Sequence, residues 1–290
     1  MSDESAPSPA PLRAPAAFEI AGADGGPLRG DLYEPDAGRA AAGRAVILCH
    51  GFRGYKDWGF LPLLATRLAS AGFPTVTFST TASGVTDRAG TFGEVERFRR
   101  GTYAGDLEDL RRIADWATER FAASGRPVAL GIAGHSRGGV IGLLHASGDP
   151  RVLALAMIAS PERIMVWPDA YFEAWRAGAP ADVYDFRTKA TLRLGPEILD
   201  DMTRHGAAYN STAAAKRLRA ALLVVHGTRD ALVRLDEARA LVAMTPDERA
   251  ELKVIEGAGH SFQAGDRLRR TPPPLLEMVE SVTAWMRRWL

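Results

Sequence analysis

Short apolar runs alternate with amphipathic stretches along this chain, and their spacing predicts strands alternating with helices. Residues 18–20 and 28–33 read as an initial hairpin turning at Asp24-Gly25-Gly26, followed by a buried strand over 45–49. A helix is expected over 61–71, with Gly72 ending it before a strand at 75–78. Residues 103–121 bring Leu107, Leu110, Ile113 and Ala114 to one helical face, suited to covering a sheet. Pro127 marks the entry to a strand at 128–132, a helical stretch follows at 140–146, and 152–158 is the next strand. Strands at 222–226 and 251–255 and helices at 231–244 and 275–289 complete the pattern. Together these elements predict a mostly parallel α/β sheet with helices on both faces.

The alternation loosens between residues 160 and 219, where Tyr171, Phe172, Trp175, Tyr184, Phe186 and Tyr209 gather. A small helical cap or extended loops over an active mouth would explain the interruption, with aromatic surfaces there binding an apolar substrate. Packing inside the core is the alternative use of the same side chains, and the pattern leaves both open. The expected organisation is a flexible leader over 1–17, a core over 18–159, a cap over 160–215, and the rest of the core over 216–290.

Composition narrows the class of function. With 290 residues, 46% hydrophobic, 24% charged and a formal charge of +1, the chain is expected to be soluble and globular rather than disordered or strongly basic, and nothing in it calls for a polyanionic partner. Its small basic clusters, Arg97, Arg99 and Arg100, and Arg267, Arg269 and Arg270, lack the interleaved aromatics of a nucleic-acid platform. Cys49 is the only cysteine, which excludes an intrachain disulfide and a thiolate metal cluster. No basic start precedes an apolar secretory core and no apolar run spans a bilayer, so cytoplasmic residence without integral membrane contact is expected. A homodimer is compatible with all of this.

The chemistry concentrates at Gly134-His135-Ser136-Arg137-Gly138, between the 128–132 strand and the following helix. This is the sequence form of a nucleophile elbow, a serine held at a tight strand-to-helix turn. A lone Gly-x-Ser-x-Gly is weak evidence, but two later segments supply what a serine needs. Asp230 follows the strand at 222–226 in His226-Gly227-Thr228-Arg229-Asp230, and His260 lies in the turn Gly257-Ala258-Gly259-His260. Ser136, Asp230 and His260 thus stand in the order nucleophile, acid, base. His50-Gly51-Phe52-Arg53-Gly54 is positioned to aim the Phe52 N–H at a developing oxyanion, with the Arg137 N–H as second donor. The expected reaction is cleavage of a small or aromatic acyl ester by water through an acyl-enzyme, with no cofactor and no metal.

Other residues compete for parts of this role. Glu162 is the alternative acid, though it lacks the turn context of Asp230. Phe52, Tyr171, Phe172, Trp175 and Phe262 are the candidate substrate-pocket residues, while the Arg137 guanidinium serves either a salt bridge or the substrate. His50 and His226 read as turn supports, His135 as the variable elbow residue, and His145 and His205 as dispersed positions that make no zinc site. Lys56, Asp57 and Trp58 read as packing and capping residues beside the oxyanion turn, and Ser83-Gly84 as a solvent turn.

On the four motifs at His50–Gly54, Gly134–Gly139, 226–230 and 257–262, the chain resembles the α/β-hydrolase superfamily. It is most similar to small bacterial dienelactone-hydrolase-like and serine-aminopeptidase-like hydrolases. The resemblance spans residues 18–290 and implies an eight-stranded, predominantly parallel sheet with a cap inserted after the sixth strand. Two departures bear on substrate. Dienelactone hydrolases are expected to use a cysteine where this elbow has Ser136, and peptidase relatives often carry a propeller or a larger cap. An ester is therefore expected over a peptide bond, with amidase, lactonase, acyltransferase and perhydrolase activities, and a non-catalytic binding protein, as the alternatives.

Overall fold

The computed structural model describes residues 14–36, 38, 42–122, 127–164, 167–245, 249–265, 268 and 270–290. Most of the expected leader, and Arg267 and Arg269 of the second basic cluster, lie outside the described residues. In chain order the elements are β1 (Ala16–Ala21), β2 (Pro27–Tyr33), β3 (Arg44–Cys49), α1 (Leu61–Ser70), β4 (Thr75–Ser79), α2 (Val95–Arg99) and α3 (Tyr103–Phe121). They continue with β5 (Ala129–His135), α4 (Arg137–Ala146), β6 (Val152–Ile158), α5 (Asp169–Arg176), β7 (Ala181–Asp185), β8 (Ala190–Leu194) and α6 (Glu197–His205). The last are α7 (Ser211–Arg217), β9 (Ala221–Gly227), α8 (Leu235–Met244), β10 (Ala250–Ile255) and α9 (Pro273–Trp289).

Eight strands form one sheet in the order β1-β2-β4-β3-β5-β6-β9-β10. The pairings β1 with β2 and β2 with β4 are antiparallel, and every pairing from β4 across to β10 is parallel. Alternation along each central strand sends side chains to two cores. From β3, Ala45, Ile47 and Cys49 join one cluster with Leu110 and Ile113 of α3, Val140 and Leu143 of α4 and Leu241 of α8. Val46 and Leu48 join the other, with Leu61, Leu64 and Leu68 of α1 and Met278, Val282 and Met286 of α9. Both faces are thereby dry, which is why these strands read as continuous apolar runs. Thr102 starts α3 by accepting the Gly105 N–H at 3.1 Å, one of the donors a helix start leaves unpaired.

Three local departures from the sequence pattern have physical causes. Strand β1 begins at Ala16, so the last two residues of the expected leader belong to the sheet, where Ala16 pairs with Leu32. Helix α8 begins at Leu235 rather than at 231, because the Asp230 carboxylate takes the N–H groups of Leu232 (2.9 Å) and Val233 (3.0 Å) into a turn. Between β6 and β9 the chain makes neither a purely helical insertion nor loops: β7 and β8 pair as an antiparallel hairpin, Ala181 opposite Leu194, flanked by α5, α6 and α7. Ala181, Val183, Leu192 and Leu194 face inward while Asp182 and Tyr184 face out, a period of two too short to stand out in sequence. Among the described residues, no helix is long and apolar enough to cross a membrane.

Candidate active site

Four loops at the carboxyl ends of parallel strands β3, β5, β9 and β10 meet in one pocket, the place where open α/β sheets bind ligands. At the centre is Ser136, between β5 and α4, with φ 52° and ψ −124°. A non-glycine residue at positive φ is strained, and here the strain turns the side chain outward at the sheet edge. Its neighbours leave no room for alternatives. A Cβ on Gly134 would lie 2.3 Å from the Gly138 carbonyl oxygen, and one on Gly138 would lie 2.4 Å from that of His50. The Ser136 N–H is fixed by the Ile158 carbonyl of the neighbouring strand at 2.8 Å.

The turn after β3 passes directly over this serine: a Cβ on Gly51 would stand 3.1 Å from the Ser136 Cβ. His50 braces that turn from beneath. Its Nε2 accepts the Thr80 N–H at 3.0 Å, which leaves Nδ1 to donate to the Gly51 carbonyl at 2.8 Å. Burial holds the His50 pKa below the ordinary imidazole value, consistent with this neutral form. Arg53 closes the turn at φ 61°. Among the described residues, neither the Phe52 N–H nor the Arg137 N–H has a hydrogen-bond acceptor. The Arg137 guanidinium points away from the pocket, paired with buried Asp106 of α3 at 2.6 Å and stacked over Phe52 (4.9 Å) and Tyr103 (5.4 Å). Of its two expected uses it takes the salt bridge, and it supports the Phe52 ring from below.

The carboxylate that reaches His260 is that of Asp230. His260 Nδ1 donates to Asp230 Oδ2 at 2.8 Å, while Oδ1 receives the N–H groups of Leu232 and Val233. Although burial opposes it, the His260 hydrogen bond and these N–H groups hold the Asp230 pKa below the usual carboxylate value. His260 thus takes Asp230 and not Glu162, the alternative acid, as its carboxylate partner. The loops carrying Asp230 and His260 are stitched together, Thr228 N–H to Ile255 at 3.1 Å and Arg229 N–H to Ala258 at 2.9 Å. Gly227 permits this closure, because a Cβ there would lie 2.2 Å from the Ala258 carbonyl oxygen.

His135 contributes something its place as the variable elbow residue does not announce. Its ring is buried, stacked on Trp58 (centroids 4.9 Å, 20° between planes) and edge-on to Phe60. Its Nε2 donates to the main-chain carbonyl of His260 at 3.0 Å. The residue before Ser136 thus holds the loop of His260. Burial, aided by the nearby His260, pushes the His135 pKa down to about 3, so the ring stays neutral. His226 is also buried, with Nε2 3.0 Å from the Val233 carbonyl and 3.4 Å from Asp230 Oδ2, beneath the acid. His145 pairs with Asp149 in α4 and its following turn, and His205 ends α6, both away from the pocket.

The pocket has a volume of about 400 Å³ and holds Ser136 and His260 together. Of the expected pocket residues only Phe52 lines it. Phe262 is fully buried and edge-on to Phe60, anchoring the His260 loop instead of meeting substrate. Tyr171, Phe172 and Trp175 pack among themselves and on Trp167; Trp175 is 2% exposed and its ring N–H is spent on the Leu194 carbonyl. These aromatics took the core role because α5 is amphipathic and turns them toward the hairpin. The walls come instead from Trp58, Leu232, Val233, Ser261 and the β7–β8 turn at Asp185, Phe186 and Arg187; of these only Phe186 stood in the aromatic group expected to meet substrate. Ser83, expected in a solvent turn, is buried. Lys56 bridges Asp31 and Asp57 at 2.6 Å each, a packing role. Arg97, Arg99 and Arg100 are all paired with carboxylates.

A parallel sheet of this order, with a strained serine after its central strand and an acid–histidine pair at the neighbouring strand ends, defines an α/β hydrolase architecture. The chain belongs to the alpha/beta hydrolase family, whose family model matches residues 46–270. No curated protein matches it. Among solved structures it is similar to DcsB in complex with its substrate analogue (TM-score 0.71, 18% identity, 96% of this chain and 100% of that one). It is similar also to Est1E from Butyrivibrio proteoclasticus with ferulic acid bound (TM-score 0.69, 18% identity, 94% and 98%). A third is dienelactone hydrolase from Anabaena variabilis (TM-score 0.62, 18% identity, 95% and 99%). At these identities the likeness is one of fold.

Proposed function

We propose that this hydrolase is a serine carboxylesterase that cleaves small or aromatic acyl esters through Ser136, His260 and Asp230. The observation that carries the reading is the 2.8 Å contact of His260 Nδ1 with Asp230 Oδ2 beside a pocket that His260 shares with strained Ser136. With Nδ1 held by the acid, Nε2 is the nitrogen available to the serine.

The reaction follows from these positions. Ser136 Oγ attacks the acyl carbon while His260 Nε2 takes its proton, and Asp230 stabilises the imidazolium. The carbonyl oxygen becomes an oxyanion that accepts the N–H groups of Phe52 and Arg137, the first held in a turn braced by His50 and the second at the start of α4. Collapse expels the alcohol, which receives the proton from His260. Water then attacks the acyl-enzyme, giving its proton to His260, and the second collapse releases the acid and restores Ser136. Asp230 is held below the usual carboxylate value and the buried His135 ring stays neutral, which suits a charged acid beside His260 and no second cation at Ser136.

An ester over an amide is supported by the pocket, whose walls are rich in apolar side chains and which accommodates a small acyl group and its alcohol. The similar Est1E structure holds ferulic acid, an aromatic carboxylic acid, in keeping with an aromatic acyl group here. A panel of p-nitrophenyl acetate, butyrate and benzoate beside aminoacyl p-nitroanilides tests the reading. Turnover of the esters, lost at least 1,000-fold in Ser136→Ala, is expected at about the scale of losing a triad nucleophile. Turnover of the anilides alone would contradict it.

A further inference from the structure

Phe186 and Leu232 are the two most exposed large apolar side chains among the described residues, at 80% and 75%, and both stand on the rim of the Ser136 pocket. They come from unrelated segments. Phe186 sits in the turn between β7 and β8, and Leu232 follows Asp230 by two residues.

Neither side chain is at the tip of a loose loop. The turn that presents Phe186 is held on both flanks: Arg53, from the turn over Ser136, donates to the Tyr184 carbonyl at 2.5 Å, and Arg187 donates to the Gly90 carbonyl. The Arg187 guanidinium is sandwiched against Tyr55 (5.3 Å) and Phe92 (5.1 Å). Asp185 ties the turn internally by accepting the Thr188 N–H at 2.8 Å, and the Phe186 ring rests edge-on against Tyr184. Leu232 is fixed by the acid itself, its N–H donating to Asp230 Oδ1 at 2.9 Å. Braced backbone thus holds two apolar side chains in water at the mouth of the candidate site, where an apolar occupant would gain from covering them.

From this geometry we infer that Phe186 and Leu232 form an outer apolar subsite that selects esters bearing an alkyl or aryl chain long enough to reach the rim. The occupant is the substrate's own apolar chain, because the rim is continuous with the pocket that contains Ser136. An ester carbonyl at Ser136 has two substituents; the one directed outward leaves the pocket between these side chains. The arginines beside them each donate to a main-chain carbonyl and lie against aromatic rings, which leaves Phe186 and Leu232 as the most exposed apolar side chains at this rim. Each methylene buried there strengthens binding by about three- to fourfold.

This inference rests on the reading of the pocket as an ester site, and binding to the Ser136→Ala protein separates the two, since that protein needs no turnover. Titration calorimetry with methyl acetate and methyl hexanoate is expected to give at least about tenfold tighter binding of the hexanoate. Adding Phe186→Ser and Leu232→Ser together should reduce that ratio to within about threefold. Equal binding of the two esters, or a ratio that survives both substitutions, overturns the subsite. Co-sedimentation with phosphatidylcholine vesicles supplies the second arm. Vesicle binding that needs Phe186 and Leu232, without chain-length dependence for the methyl esters, would make the rim a membrane contact and overturn the inference. A hexanoate preference lost in the double variant, in a protein that hydrolyses no ester, would sink the proposed reaction and leave the subsite standing.

Discussion

At the scale of single residues, the site is a set of side chains whose freedom has been removed by neighbours that do no chemistry. His135 shows this best. One buried imidazole, stacked on Trp58, joins the residue before Ser136 to the carbonyl of His260, so the proposed nucleophile and base move as one unit. Its neutrality has a consequence for stability. The unfolded chain protonates this histidine near pH 6.5, whereas the folded chain refuses the proton until about pH 3. Above pH 6.5 the group imposes no penalty; below it, folding stability falls by up to about 1.4 kcal/mol per pH unit from this residue alone. Urea unfolding at pH 7, 6 and 5 should therefore show a shallower acid decline for His135→Phe than for the wild type, since the other buried histidines are common to both. Parallel declines would contradict the assignment of His135 as buried and neutral. The same substitution removes the donor to His260 and should lower kcat by about tenfold or more.

Elements set the distances between those residues, and the contact between α3 and α4 is the most exposed to test. Arg137 opens α4, and its guanidinium is paired with Asp106 of α3, whose carboxylate is almost wholly buried, under the Phe52 ring. Removing one partner leaves a charge buried alone, so Asp106→Ala should cost about 3–5 kcal/mol in urea unfolding. Asp106→Ala with Arg137→Met should recover a substantial part of that loss, and a double variant as unstable as the sum of its parts would contradict a coupled pair. At this scale the sequence was legible where apolar runs were long. The strand at 152–158 and the helix at 103–121 appear with the bounds that their patterns predict, the strand as an apolar run buried on both faces and the helix by the apolar stripe it packs on the sheet. The β7–β8 hairpin was not legible: each strand has five residues, and their alternating polar positions look like irregular loop.

For the whole molecule, the sheet order brings the ends of β3, β5, β9 and β10 together, although the residues they carry lie far apart in the chain. Ser136, Asp230 and His260 could be read from sequence because each is embedded in glycine-rich turn chemistry that has a local steric cause, as the crowding at Gly134, Gly138 and Gly227 demonstrates. The pocket walls could not be read this way. An aromatic residue carries no mark of which way its helix faces, so Tyr171, Phe172 and Trp175 turned inward while Phe186, in a short turn, reached the rim. Motifs thus mark the residues proposed to react, and only the folded chain shows which side chains line their pocket. The most direct test of the central claim is fluorophosphonate labelling followed by peptide mapping. One labelled peptide containing Ser136, absent in Ser136→Ala, is the expected result; an unlabelled wild type, or labelling unchanged by that substitution, would contradict it.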